Sequence, residues 1–188
     1  MGLSYLENKH WSDISRNERF FCAHLYFEMN NNLAPFLELI SKNGVIKEED
    51  SKPNLWEVGY EVCFYRDYIK KIGFENTHEI GKTPFHNLRK RTFDLCLFSE
   101  KSIIIIEAKA HQGFDNDQMK SFDDDLIQIN RLLGNKNIIE TKLLGLTSNK
   151  YKPSELTKNR FKAVFNWMEL YDVYPNDIFR KANETYRK

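Results

Sequence analysis

The feature that most constrains the fold of this chain is the run Ile103 to Ile106, four consecutive β-branched residues. A run of this kind is typical of a strand that is buried on both faces of a sheet. Two charged residues, Glu107 and Lys109, follow it directly. Because an unpaired buried charge is costly, a core strand that ends in Glu-Ala-Lys requires partners for both charges at its end.

The residues before the isoleucine run predict a second strand. Thr92 to Phe98 is rich in strand-forming residues, and Asp94 is its one charged residue. Residues 99–102 are polar and predict a turn, so the two strands should form an antiparallel hairpin. Side chains alternate along a strand, which places Glu107 and Lys109 on the same face of the second strand.

The length of the hairpin loop decides which residue Asp94 faces. A loop of two or four residues sets Asp94 opposite Glu107, with the two Cβ atoms about 4.5–5.5 Å apart. A loop of three residues would set Asp94 opposite Ile106 instead. Two carboxylates as close as the first pair repel each other unless positive charge lies between them. Mg²⁺ prefers oxygen ligands, so the first arrangement predicts a divalent-metal site with Lys109 pointing into it.

These residues carry a resemblance to a known family. Asp94, followed after twelve residues by Glu107-Ala108-Lys109, resembles the Asp…(Asp/Glu)-x-Lys signature of the PD-(D/E)xK nuclease superfamily. Phe93 stands where the proline of the signature would be. The resemblance implies an α/β fold with an αβββαβ core, in which helices flank a mixed central sheet over roughly residues 15–150.

The resemblance also implies an activity. Members of the superfamily use Mg²⁺ or Mn²⁺ to hydrolyse phosphodiester bonds, so the expected substrate is DNA or RNA. In that chemistry Asp94, Glu107 and the carbonyl group of Ala108 hold the metal ion. Lys109 then orients the attacking water or stabilises the developing negative charge.

A second interpretation of the same residues involves no catalysis. Glu107 and Lys109 can form an ordinary ion pair on a hairpin, or the chain can be a non-catalytic nucleic-acid-binding or protein-interaction module that has kept the nuclease fold. The net charge is +1, from 28 Lys and Arg against 27 Asp and Glu, which is not the balance of a dedicated nucleic-acid coat. Phosphate contacts must therefore come from local patches such as Arg89-Lys90-Arg91, which can equally discourage edge pairing of the next strand.

Glu18 is the candidate for a further metal ligand. Many members of the superfamily carry a Glu on the first core helix, and this Glu reaches the metal through water. Residues 15–18 also fit a capping box, in which Ser15 and Glu18 satisfy each other's backbone N–H groups. The capping box explains Glu18 without a metal, and the two roles can coexist. A further helix over Leu33–Ile40 should end at Gly44.

Other polar residues are candidates with a structural alternative. Glu57 and Glu61 lie four positions apart and are either reserve carboxylates for the site or a solvated stripe. Gln118 and Gln128 lie on the helix where some superfamily members carry a substrate-binding Gln, and both can equally be solvated. The aspartates at 123–125 would fan out from that helix, which disfavours a metal cluster.

The remaining patterns complete an α/β order of helices and strands. Their lengths, apolar spacing and terminating residues decide each assignment. The predicted elements are a helix over Leu55–Ile72, whose first half also alternates like a strand, a short strand near His78–Lys82, a helix from Asn116 or Asp117 to Gly134, a strand over Lys142–Ser148, a final helix from Pro153 through Leu170, and a short closing helix within 176–188.

Size and composition set the remaining expectations. A chain of 188 residues that is 41% hydrophobic and 29% charged predicts a single folded domain over residues 1–188. Cys22, Cys63 and Cys96 are far apart, which argues against a zinc site or a disulfide framework and suits a reducing cytoplasm. No apolar stretch approaches the length of a membrane span, and no signal peptide is expected.

Overall fold

The chain folds into an α/β structure, as the sequence predicts, in which helices flank a five-stranded mixed sheet. The computed structural model describes residues 17–71, 91–132 and 139–187. Two single 3-10 turns, at Glu48–Asp50 and Pro53–Leu55, precede the first strand. The helices and strands are α1 (Glu18–Asn31), α2 (Ala34–Lys42), β1 (Glu57–Val62), α3 (Phe64–Lys71), β2 (Phe93–Phe98), β3 (Ser102–Ala108), α4 (Asn116–Leu132), β4 (Glu140–Thr147), α5 (Glu155–Arg160), β5 (Ala163–Asn166), α6 (Trp167–Val173) and α7 (Asp177–Glu184).

The strands lie in the sheet in the same order as in the chain, from β1 to β5. β1, β2 and β3 form an antiparallel meander. β4 pairs parallel with β3, and β5 pairs parallel with β4. A parallel pair needs a crossover connection, and α4 and α5 lie in the two segments that supply it.

The isoleucine run is buried on both faces, which confirms the prediction for β3. Ile104, Ile106 and Ala108 belong to the larger core cluster, to which α1, α2, α6 and α7 contribute. Ile103 and Ile105 belong to a second cluster on the opposite face, with Phe122 and Ile129 of α4 among its members. Since both faces are covered, the strand has no polar face until Glu107.

The hairpin between β2 and β3 has the two-residue loop that the site requires. Ser99 donates its backbone N–H to the carbonyl oxygen of Ser102 at 2.9 Å, and only Glu100 and Lys101 lie between them. Leu95 is accordingly paired with Ile106. The Ser99 hydroxyl also accepts from the Ser102 N–H at 2.9 Å, so the side chain fixes the turn as well.

The prediction of one helix over Leu55–Ile72 is wrong for its first half. β1 occupies Glu57–Val62 and α3 begins at Phe64. Val58 and Tyr60 alternate toward the larger core cluster, and pairing with β2 is the interaction that favours the strand. The strand predicted near His78–Lys82 lies outside the described residues.

The prediction of one long helix from Pro153 through Leu170 is also wrong. The segment divides into α5, β5 and α6, and β5 extends the sheet beside β4. Ala163–Asn166 is only four residues long, so tertiary pairing rather than local pattern determines it. The strand over Lys142–Ser148 and the short closing helix are confirmed as β4 and α7, and Gly44, with φ of +68°, follows the end of α2 as predicted.

The described helices include none with the length and apolar character that a membrane crossing requires.

Two threonines of β4 supply a test of the packing. Thr147 is 2% exposed, and its hydroxyl has no hydrogen-bond partner within residues 17–71, 91–132 and 139–187. We expect Thr147→Val to raise the free energy of unfolding by about 1 kcal/mol, because an unsatisfied buried hydroxyl is replaced by a methyl group. Urea unfolding measures the change.

Thr141 is the matched control, because it lies on the same strand and its hydroxyl also lacks a partner among the described residues. It is half-buried rather than buried. Thr141→Val should therefore give a smaller gain. A loss of stability in Thr147→Val would show that its hydroxyl makes a favourable interaction, such as one with bound water.

Candidate active site

Asp94 and Glu107 lie opposite each other at the end of the central hairpin. The observed pairs end at Leu95 and Ile106, and the same register extended by one position sets Asp94 opposite Glu107. Asp94 Oδ2 accepts a hydrogen bond from the backbone N–H of Ala108 at 2.8 Å, which ties the two strand ends together. The sequence allowed two registers, depending on the length of the loop. The structure has the one that brings the two carboxylates together.

Lys109 lies next to Glu107, with its Nζ 3.7 Å from Glu107 Oε1. Its backbone is held on both sides. The N–H donates to the carbonyl oxygen of Leu146 at 2.7 Å, and the carbonyl oxygen accepts from Trp167 Nε1 at 2.9 Å. The lysine therefore continues the pairing of β3 with β4 and is firmly placed at the site.

Arg91 makes two ion pairs at the site, and sequence reasoning missed them. Its Nη2 lies 3.2 Å from Glu107 Oε1, and its Nη1 lies 2.7 Å from Asp125 Oδ2 on α4. Arg91 therefore forms ion pairs inside the protein. The sequence had suggested two other roles for it, contact with a phosphate group and protection of a strand edge from pairing. Arg89 and Lys90 lie outside the described residues.

The three consecutive aspartates point in different directions, as predicted. Asp125 is buried and pairs with Arg91, while Asp123 pairs with Arg160 at the end of α5. Asp124 is exposed. Within the described parts of the chain, no three or more His, Cys, Asp or Glu side chains are arranged to hold a metal ion.

Burial dominates the electrostatics of the two carboxylates. It raises the pKa of Asp94 to about 7, and the nearby Glu107 charge adds to the rise against the Ala108 N–H and Lys109. Burial also raises the pKa of Glu107, although Arg91 and Lys109 oppose it. Arg91 and Lys109 balance Glu107 and Asp125 in charge, so ionised Asp94 adds negative charge that these cations do not compensate.

Glu18 reaches the same end of the sheet from α1. Its Oε1 lies 3.5 Å from the backbone nitrogen of Ala110 and 3.6 Å from Nδ1 of His111, directly after Lys109. The predicted capping box is wrong, because the N-cap is Asn17, whose side chain accepts from the N–H of Arg19 at 3.0 Å. Ser15 itself lies outside the described residues.

Glu57 and Glu61, the two candidate carboxylates of β1, lie at opposite ends of the strand. Glu57 pairs with Phe98, at the opposite end of β2 from Asp94. Glu61 lies opposite Asp94, between two observed pairs, and has a φ of +52°. A positive φ is strained for a residue with a side chain, and strain of this kind concentrates at functional sites. The carboxylate of Glu61 pairs with Nε of Arg19 on α1 at 3.2 Å.

The buried thiol of Cys22 lies near the acids of the site. Its pKa is raised first by burial and then by the charges of four carboxylates, which are Asp94, Glu107, Glu18 and Glu61. Three strands and one helix thus bring their acids within electrostatic reach of one atom. Gln128 is half-buried on α4, and the side chain of Gln118 lies outside the described part of the chain.

Comparison of the chain with models of protein families, with curated proteins and with solved structures found no match. The chemistry of the site follows from its residues. Opposed carboxylates supply hard oxygen ligands for a cation. The ε-amino group of Lys109 supplies a fixed positive charge beside them, which can stabilise an anion that approaches the same place.

The raised pKa of Asp94 predicts how stability depends on pH without metal. The unfolded carboxyl group loses its proton near pH 4, whereas the folded one keeps it to about pH 7. The folded state therefore binds more protons between these values, and the free energy of unfolding should fall as pH rises through this window. Each unit of pKa shift corresponds to about 1.4 kcal/mol.

Asp94→Asn tests this expectation, because asparagine can still accept the Ala108 hydrogen bond but cannot ionise. The variant should gain stability over the wild type steadily from about pH 4 to pH 7, by a few kcal/mol at the upper end. Asp172→Asn, which changes an exposed residue of α6, is the control. Parallel stability curves for Asp94→Asn and the wild type would contradict the expectation.

Proposed function

We propose that this chain is a divalent-metal-dependent phosphodiester hydrolase, a nuclease of the PD-(D/E)xK type that acts on DNA or RNA. The observation that carries the proposal is the hairpin register, which sets Asp94 opposite Glu107 with Lys109 beside them. Two facing, buried carboxylates are not favoured in an ordinary hairpin, since nearby like charges destabilise each other.

The donor set fits Mg²⁺ or Mn²⁺. The carboxylates of Asp94 and Glu107 and the carbonyl group of Ala108 would hold the ion, and Glu18 would complete the site through water. Uncompensated negative charge on ionised Asp94 favours uptake of a cation at this place. The ion would supply Lewis-acid activation of the phosphate and of the attacking water.

The chain's own residues would do the positioning. Lys109, with its backbone fixed at both the N–H and the carbonyl group, would hold the attacking water or stabilise charge on the phosphate. The side chain of Lys109 is only 14% exposed, and its Nζ lies 6.0 Å from the centroid of the Phe114 ring. Exclusion of water strengthens the electrostatic interactions inside such a site.

The free cysteines and the net charge are compatible with a nuclease that works inside the cell. Cys22, Cys63 and Cys96 are all free and buried, and unpaired cysteines are typical of proteins in a reducing cytoplasm. The net charge of +1 implies that phosphate contacts come from local groups rather than from a strongly basic surface.

A non-catalytic binding module is the alternative, and one observation favours it. Glu107 is already compensated by Arg91 and Lys109 without any metal. If that network is only structural, the chain should bind no Mn²⁺ at Asp94 and Glu107, and calorimetric titration should give no heat. A nuclease site should take up Mn²⁺ and gain thermal stability from it, because a ligand that binds only the folded state stabilises that state.

Activity assays provide the direct test. We expect the wild type to cleave at least one of single- and double-stranded DNA and RNA with Mg²⁺ or Mn²⁺, and a chelator to abolish cleavage. Asp94→Asn and Glu107→Gln should lose both metal binding and cleavage. Absence of cleavage on all four substrates with several divalent ions would contradict the proposed activity.

Lys109 has a closely matched control in Lys142. The two side chains are 14% and 13% exposed and lie on the adjacent strands β3 and β4. Lys142 Nζ is 3.0 Å from Glu140 Oε2, at the other end of the sheet. Lys109→Met should lower the rate of cleavage by roughly 100-fold or more, since loss of a group that stabilises transition-state charge typically costs this much.

Lys142→Met should keep wild-type activity, because it removes an equally buried cation away from the site. Lys109→Met should also lower stability without metal, since it takes one cation from the carboxylates. Equal activity of the two variants would show that Lys109 has no part in the reaction.

A further inference from the structure

The guanidinium group of Arg91 joins a candidate metal ligand to a helix on the other side of it. Two different nitrogens make the two ion pairs, Nη2 with Glu107 and Nη1 with Asp125. Nη1 also donates to the hydroxyl group of Ser121, one turn earlier on α4, at 2.9 Å. The fork of the guanidinium group therefore fixes the Glu107 carboxylate relative to α4.

The surroundings of this fork are closed. The side chains of Arg91, Glu107 and Asp125 are 19%, 9% and 4% exposed. The guanidinium carbon of Arg91 lies 4.2 Å from the centroid of the Phe122 ring and 5.2 Å from that of Phe93. Aromatic faces attract a guanidinium group, so packing and charge hold the arginine in the same place.

We infer that Arg91 is a positioning residue for the metal ligand Glu107, and that Asp125 and Ser121 of α4 hold Arg91 in place. The inference rests on the proposed function, since it gives the network a role toward the divalent cation. A group that hydrogen-bonds to a metal ligand holds that ligand in the orientation that metal binding needs. Loss of such a group typically weakens metal binding 10–100-fold.

The competing explanation is charge balance alone. In that case Arg91 would only neutralise two buried acids, and any cation at this position would serve. Lysine distinguishes the two explanations, because it keeps the charge but has one nitrogen instead of a planar fork. The three donors of an ammonium group radiate from one nitrogen, so they cannot occupy the positions of the two separate nitrogens that bind Glu107 and Asp125.

The experiment is a calorimetric titration of Mn²⁺ into the full chain, after thermal melts have shown that each variant is folded. The variants are Arg91→Lys and Asp125→Asn, with Asp124→Asn as the matched control that removes the same charge from an exposed neighbouring position of α4. We expect Arg91→Lys and Asp125→Asn to bind Mn²⁺ roughly tenfold more weakly than the wild type or worse. Asp124→Asn should bind as the wild type does.

The metal dependence of cleavage is the second measurement. A misplaced ligand should shift the concentration of Mn²⁺ that gives half-maximal activity upward in Asp125→Asn, and activity should recover as Mn²⁺ approaches saturation. A folding defect would lower activity at every metal concentration instead, and this pattern would overturn the inference.

Further outcomes decide it as follows. Wild-type affinity in folded Arg91→Lys would show that charge alone suffices and would overturn the inference, while the proposed function would stand. A wild type that takes up no Mn²⁺ would overturn both.

If Arg91→Lys and Asp125→Asn unfold, Ser121→Ala decides, because it removes one hydrogen bond to Nη1 and leaves every charge. Weaker Mn²⁺ binding in Ser121→Ala would support the inference, and unchanged binding would overturn it.

Discussion

The pairing of β2 with β3 is the constraint on which the site depends. The side-chain period of a strand is two residues, so a slip of one position would turn Asp94 to face Ile106 rather than Glu107. The two-residue loop between Ser99 and Ser102 prevents this slip at one end. The hydrogen bond from Ala108 to Asp94 holds the other end, so the geometry of the carboxylates follows from backbone pairing.

Helix α4 contributes to the charge balance of the site. α4 covers one face of the sheet and supplies Asp125, which is a second buried acid near Glu107. Both acids can be buried there because both pair with Arg91. A buried charge that has lost its partner is strongly destabilising. The packing of α4 and the charge balance of the site are thus parts of one arrangement, in which Asp94 is the acid with the least compensation.

The sequence predicts the features that neighbouring residues determine. The isoleucine run and the shared face of Glu107 and Lys109 follow from alternation, whereas the sequence left the register open between two loop lengths, and the observed two-residue loop decides it. β1 and β5 could not, because their short segments fit a helix equally well until the sheet pairs with them. The contact of Arg91 with Asp125 joins residues 34 positions apart, and no local pattern indicates it. The position of Glu61 opposite Asp94 likewise depends on pairing between distant strands.

The distribution of unfavourable features along the sheet is informative in itself. At the hairpin loop the Ser99 hydroxyl group bonds to the backbone of Ser102, and Lys101 pairs with Asp50 at 3.3 Å on the surface. At the other end, Asp94 is buried with its pKa raised to about 7, and Glu61 adopts a positive φ. Natural proteins violate local rules mainly where function requires it. Facing carboxylates, a strained acid and a fixed lysine at one end of one sheet form an arrangement that folding alone does not favour, and a bound cation would relieve its repulsion.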